Sequence, residues 1–195
     1  YATRTWHPQR LPYNEDWSAQ VDVNVPAFNM NLVDVMDLGL EIMKQSNFGE
    51  SATLTLERNA TGSFFKSRGN SASNGSAAES NETFTTATHA RLRMRWETEI
   101  HTLYLDYDAN ASDANGTWTE LSTWNVTAPP MGWNINYNSN ASFVVILEGG
   151  SEGRAIFENW EVYLDNFEVA SALPVVAAML ARQRMEHFII SIDKL

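Results

Sequence analysis

Cysteine is absent from the 195 residues. That excludes disulfides, thiolate metal sites and a cysteine nucleophile. It leaves the compartment open, because secreted domains large enough to build a core need no disulfide. Positive charge is scarce: 13 Lys and Arg stand against 24 Asp and Glu, a formal net charge of −11. A nucleic-acid binder needs a cationic surface to neutralise phosphates, so that class is excluded. Long apolar runs are missing too. "LPVVAAMLA" falls short of the roughly 18 residues of a membrane helix, and Arg182 and Arg184 follow it. Histidine is limited to His7, His89, His101 and His187, with no close pair to hold zinc. Neither a Gly-x-Ser-x-Gly elbow nor a phosphate-binding glycine loop occurs.

What is present can build a core. Hydrophobic residues make up 44% and aromatics 11%, which argues against global disorder and for one substantial domain with a two-layer core.

"WSAQVDVNV" places Trp17, Ala19, Val21, Val23 and Val25 on one face and Ser18, Gln20, Asp22 and Asn24 on the other. That period of two predicts a half-buried strand, which Pro26 stops. "LGLEIMK" and "ATLTLER" read as two more strands. "RGNSASNGSAAESNET" is too rich in Ser, Asn and Gly to bury a core and reads as a mobile loop. In "HARLRMRW", Ala90, Leu92, Met94 and Trp96 point inward. Arg91, Arg93 and Arg95 point outward, as a solvated row balanced by nearby carboxylates. "ETE" turns the chain and "IHTLYLDY" returns with Leu103, Leu105 and Tyr107 on the apolar face, a hairpin. "TWTELSTWNV" follows. "SFVVILE" is apolar on both faces, as a central strand covered on each side is. In "WEVYLDNFEV" the alternation slips between Leu164 and Phe167, and a bulge near Asp165 and Asn166 restores it.

At least eight strands, polar loops and no convincing helix before residue 170 predict an all-β fold. Its form is an antiparallel two-sheet jelly-roll sandwich over residues 1–170. Residues 171–195 form a tail. "ALPVVAAMLARQRMEHF" is helix-like and "FIISI" is strand-like. A terminal strand of this kind covers its own sheet edge or adds to a neighbour's, which would make a homo-oligomer or filament.

Three groups of residues are site-like. "DYDANASDANG" offers Asp106, Asp108, Asn110 and Asp113 as oxygen ligands for calcium. The same residues equally suit the polar tip of a hairpin. "TWNVTAPPMGWNINYNSN" offers Trp124, Trp133 and Tyr137 for stacking on sugar rings, with Asn134 and Asn136 for the hydroxyls. Trp124 and Trp133 are alternatively core residues. Asn-x-Ser/Thr acceptors stand at Asn59, Asn74, Asn81, Asn110, Asn115, Asn125 and Asn140. This exceeds the about three expected by chance and points to an extracellular or cell-surface glycoprotein.

The stretch "RLRMRWETEIHTLYLDYDAN…GTWTELS" resembles the hairpin of the concanavalin A-like lectin/glucanase superfamily, especially its laminin-G-like branches. "YNEDWSAQVDVNVP" looks like the opening strand of that fold and "WEVYLDNFEVA" like its closing one. The resemblance implies a β-sandwich that hosts lectins, glycanases, adhesion modules and structural proteins alike. Glycanases of this superfamily carry Glu-x-Asp-x-x-Glu on one strand face, and that pattern is absent here. "WETEIH" places Glu97 and Glu99 at a turn, and "ENWEVYLD" spaces Glu158, Glu161 and Asp165 differently. "YLDNF" also resembles galactose-binding-like jelly rolls of carbohydrate-binding modules, where the matching aspartate, here Asp165, supports a structural calcium. The expectation is therefore a non-catalytic, extracellular carbohydrate-binding or adhesion module (a lectin in the broad sense) whose partner is a glycan or cell-surface polysaccharide. A structural subunit of a glycosylated surface layer or filament is the alternative, and a glycoside hydrolase the third reading.

Overall fold

The computed structural model describes residues 2–25, 35–71, 77–111, 116–135, 142–152, 161–171 and 188–191. Among the described residues twelve strands follow one another in chain order. They are β1 (Ala2–Pro12), β2 (Trp17–Asn24), β3 (Val35–Lys44), β4 (Asn47–Asn59), β5 (Gly62–Asn70) and β6 (Ala77–Thr85). They continue with β7 (His89–Glu97), β8 (Thr102–Asp108), β9 (Thr119–Asn125), β10 (Ser142–Glu152), β11 (Glu161–Ser171) and β12 (Phe188–Ser191). No helix occurs among the described residues.

Two six-stranded sheets face each other. The first runs β1-β10-β3-β4-β5-β6 and the second β12-β11-β2-β7-β8-β9. Every pairing is antiparallel. This is the jelly-roll type of sandwich that the alternation predicts.

The alternating positions meet in one core. β2 contributes Ala19, Val21 and Val23; β7 contributes Leu92, Met94 and Trp96; β8 contributes Leu103 and Leu105. From the other sheet come Met36, Leu38, Leu40 and Ile42 of β3, Leu54 and Leu56 of β4, Phe65 of β5, and Phe143, Val145 and Leu147 of β10. Burying each Val, Leu, Ile, Met or Phe side chain among these contributes about 1.5–3 kcal/mol. Phe65 stacks on Tyr107 across the sandwich, with ring centroids 4.0 Å apart. At one end Phe143 gathers Tyr13, Trp17, Trp96 and Trp133 within 6.2 Å between centroids.

"SFVVILE" sits between β1 and β3, as the expected central strand. The expected bulge in β11 is present, as a register shift between Asp165 and Glu168. The stretch read as a loop from Arg68 to Thr83 is largely not one. β5 runs on to Asn70 and β6 starts at Ala77. β6 is an edge strand, so one side of its backbone lacks a partner and its Ser, Asn and Glu side chains need no apolar face. The helix-like stretch of the tail lies outside the described residues. The strand-like end does not: β12 pairs with β11 of the same chain, Leu164 opposite Phe188 and Glu161 opposite Ser191.

Candidate functional site

The outer face of the first sheet is hollowed into a groove of about 370 Å³. Strand alternation dictates what lines it. Leu38, Leu40, Leu54, Leu56, Val145 and Leu147 point into the core, so the residues between them point out. Register then sets them in rows across the strands. The central row holds Glu148 of β10, Gly39 of β3, Thr55 of β4, Lys66 of β5 and Glu82 of β6. On one side lie Asp37, Glu57, Phe64 and Phe84. On the other lie Glu41, Thr53, Arg68 and Ser80.

Gly39 is the residue that makes the centre. It stands opposite Glu148 in the ladder and is flanked along β3 by Asp37 and Glu41, and the β4 backbone comes close against it. A Cβ at Gly39 would collide with the Leu54 carbonyl oxygen and lie 2.8 Å from the Thr55 Cα. Backbone atoms cannot step aside as a flexible side chain can.

The electrostatics follow from this crowding. Burial, then the neighbouring Glu41 and Asp37 carboxyls, push Glu148 up to about 7, against the pull of Arg68. Burial also raises Glu41, and a hydrogen bond with Ser51 partly offsets it. Lys66 is engaged: its Nζ donates to Glu57 Oε1 at 2.8 Å and lies 3.4 Å from Glu82 Oε2. Burial lowers its pKa, but these two carboxylates more than compensate and hold it above the usual lysine value. Five carboxyls face two cations in the groove, so it is acidic overall.

Chemically, the site joins a carboxyl whose pKa lies near 7 to four further carboxyls, hydroxyls, two amides, an ammonium and a guanidinium. It can donate and accept many hydrogen bonds and can hold and release a proton at Glu148. Glu148 and Glu41 sit on adjacent strands, diagonally related through the Glu148–Gly39 pair. Such neighbours have Cα atoms about 7–8 Å apart.

Of the residues expected as sugar or metal contacts, none of those described lines this groove. Trp124 and Trp133 are core residues, 6% and 2% exposed. Trp133 donates from Nε1 to the Asn70 carbonyl at 2.7 Å and closes the end of the sandwich beside Phe143. Neither ring can stack on a sugar, because the hydrophobic effect has taken the faces that stacking needs. Asn134 is exposed next to Trp133. Asn136 and Tyr137 lie outside the described residues.

The acidic loop divides between strand and turn. Asp106 belongs to β8, is 1% exposed, and accepts hydrogen bonds from Arg93 and Arg95. Its carboxylate is engaged by these two guanidiniums. Asp108 accepts the Asn110 amide at 2.9 Å, a local Asx turn that makes the hairpin tip. Asp113 lies outside the described residues. Asp165 pairs with Asp22 in the β11–β2 ladder. Among the described residues no group of three or more His, Cys, Asp or Glu side chains is arranged to hold a metal.

Two of the Asn-x-Thr acceptors have a structural explanation. Asn59 Oδ1 accepts both the amide and the hydroxyl of Thr61, at 2.9 and 2.6 Å. Asn125 Oδ1 does the same with Thr127, at 3.1 and 2.9 Å. The spacing suits a turn as well as it suits a glycan acceptor. Asn81 and Asn110 are exposed; Asn74, Asn115 and Asn140 lie outside the described residues.

The groove residues carry a faint sequence signal. "DLGLE" puts Asp37, Gly39 and Glu41 on the outward parity of β3, and "LEGG" puts Glu148 beside Gly149 and Gly150. A glycine between two outward carboxyls in a strand marks a place where a neighbouring backbone comes close. Which strand lies opposite is not written in either segment.

No family model matches the chain, and no curated protein sequence matches it. Solved structures do. A protein of unknown function from Saccharomyces cerevisiae superposes with a TM-score of 0.53 at 15% identity, over 83% of this chain and 72% of its own. Alginate lyase A1-II', a member of polysaccharide lyase family 7, superposes with a TM-score of 0.50 at 9% identity, over 84% of this chain. This chain spans 65% of the lyase. The CBM2 module of the evolved Dit of Lactobacillus casei BL23 phage J-1 gives 0.49 at 10% identity, over 87% of this chain and 67% of the module. At such identities the first two likenesses show the fold, an antiparallel β-sandwich, and that alone.

Proposed function

We propose that the groove on the outer face of the first sheet binds a glycan. On this reading the chain is a carbohydrate-binding module of concanavalin A-like type, working outside the cell or at its surface. The observation that supports it best is the composition of the groove: side chains from β10, β3, β4, β5 and β6 present hydroxyls, carboxyls, two amides and cations along one hollow. Sugars are recognised by many convergent hydrogen bonds to hydroxyl groups, and a row crossing five strands supplies them over about 19 Å at about 4.8 Å per strand step.

Affinity electrophoresis in gels containing soluble polysaccharides tests it. The wild-type chain is retarded, and the Glu41→Ala/Arg68→Ala double variant migrates as in a gel without polysaccharide. Equal retardation of the two overturns the groove as the binding site.

A second reading, cleavage of the glycosidic bond, is favoured by Glu148. A carboxyl held near 7 by burial and by flanking acids is suited to give its proton to the leaving-group oxygen. Asp37 or Glu41, flanking Gly39 on β3, would take a proton from the attacking water. The Glu148→Gln variant separates the readings. Under the binding reading no reducing ends appear with either protein; under the cleavage reading they appear with wild type and vanish with the variant.

A further inference from the structure

We infer that Phe64 and Phe84 form an aromatic platform at one end of the groove, on which a sugar ring of a neutral polysaccharide rests. The inference depends on the glycan-binding reading and adds to it a residue pair and a substrate class.

Phe84 is 62% exposed on the edge strand β6. A large exposed hydrophobic on a sheet edge invites aggregation, and edges are ordinarily blunted with charge. Among the described residues the other large exposed apolar side chains, Phe48 and Ile100, stand apart in the β4 start and the β7–β8 turn, where a lone apolar side chain needs no explanation. Phe84 is not alone. It pairs in register with Phe64, whose ring meets it edge-on at 5.6 Å between centroids and 80° between planes. The next pair on the same face of these two strands is Lys66 and Glu82, both lining the groove. The aromatic step therefore continues the row Asp37–Glu57, with no strand between platform and groove.

The ring is held in place before any ligand arrives. Gly62, at φ 151°, leaves the space in which it sits: a Cβ there would lie 2.6 Å from Cε2 of Phe84. Lys66 Nζ lies 5.7 Å from the Phe64 ring centroid and ties the platform to the groove from the other side. A pre-placed ring loses little freedom on binding.

The substrate class follows from charge and shape. Five carboxyls against two cations repel a polyuronate or sulfated chain. Lys66 is engaged by Glu57 and Glu82, which lessens its value as an anion receptor. A phenyl ring covers the apolar face of a pyranose whose hydroxyls are equatorial, and the polar row beside it takes those hydroxyls.

The test is affinity electrophoresis in gels of mixed-linkage β-glucan, arabinoxylan and alginate. Wild type is retarded by a neutral polymer and not by alginate. Phe84→Ala weakens that retardation about tenfold, the worth of one ring contact, and Phe84→Trp restores it. Phe84→Thr, which suits an edge strand, repeats the loss if alanine loosens β6. Undiminished affinity in both Phe84→Ala and Phe84→Thr overturns the platform and leaves the groove standing. No retardation of wild type by any of the three polymers overturns the groove reading and the platform with it. Retardation by alginate alone overturns the neutral class.

Discussion

Arg93 and Asp106 face each other across β7 and β8, and Arg93 donates from Nε and Nη2 to one carboxylate oxygen, at 3.0 and 2.8 Å. Arg95 adds a donation from Nε to the same oxygen at 2.7 Å. The guanidiniums lie over rings in turn, Arg93 over Trp118 at 3.9 Å and Arg95 over Tyr104 at 4.5 Å. The arginine row is thus balanced by a carboxylate, as the sequence leads one to expect. That carboxylate is Asp106, counted among the calcium ligands.

Asp106→Ala leaves two arginines facing each other with nothing between them. Removing one partner of a buried pair costs about 3–5 kcal/mol. The arginine side chains here are 22% and 33% exposed, so solvent relieves part of it, and about 2–4 kcal/mol is expected. Urea unfolding measures it. A change under about 0.5 kcal/mol, the size of an ordinary surface substitution, would show that the network contributes nothing.

Glu148 makes stability depend on pH with a definite sign. Its folded pKa, about 7, is above the ordinary value of 4.5. Between those two values the folded chain holds a proton that the unfolded chain has released. Stability therefore falls as pH rises from about 4.5 to 7, and the loss is complete above that window. Glu148→Gln removes this contribution. It should raise stability at pH 8 by about 1–3 kcal/mol and flatten the slope in the window. Melting curves at pH 5 and pH 8 for both proteins check it, and a variant that gains nothing at pH 8 contradicts the assignment.

Gly39→Ala puts a methyl group against the backbone of β4. Overpacking costs about 1–3 kcal/mol, and here the obstacle is main chain, so the upper end is expected. The same change displaces β4 against β3 beneath the groove. Thermal melting and polysaccharide retardation should both decline; a variant as stable as wild type would show that β3 and β4 part without cost.

Trp133→Ala empties the capped end of the sandwich. Large-to-small changes of buried Trp cost about 3–5 kcal/mol, and the Asn70 carbonyl loses its donor as well. Asn134→Ala, one residue along and exposed, should leave the melting temperature where it is. If Trp133→Ala melts normally and loses only glycan binding, the ring belongs to a site and not to the core.

The core was legible because burial acts locally on alternate residues. Trp17 to Val25, Ala90 to Trp96 and Leu103 to Tyr107 announce strands whatever lies beside them, and the slip between Leu164 and Phe167 announces its bulge. The polar strands were not legible. β6 carries Ser, Asn, Glu and Thr because it lies at an edge, and composition alone cannot distinguish that from a loop. Trp133 reads as a sugar contact among its asparagines, yet the space beside Phe143 draws it inward. The amino-acid sequence by itself determined which face of each strand enters the core. Only the tertiary structure decided which outward residues stand together, because register joins positions 37, 41, 66, 68 and 148 through hydrogen bonds between strands far apart in the chain, and no single strand contains that information.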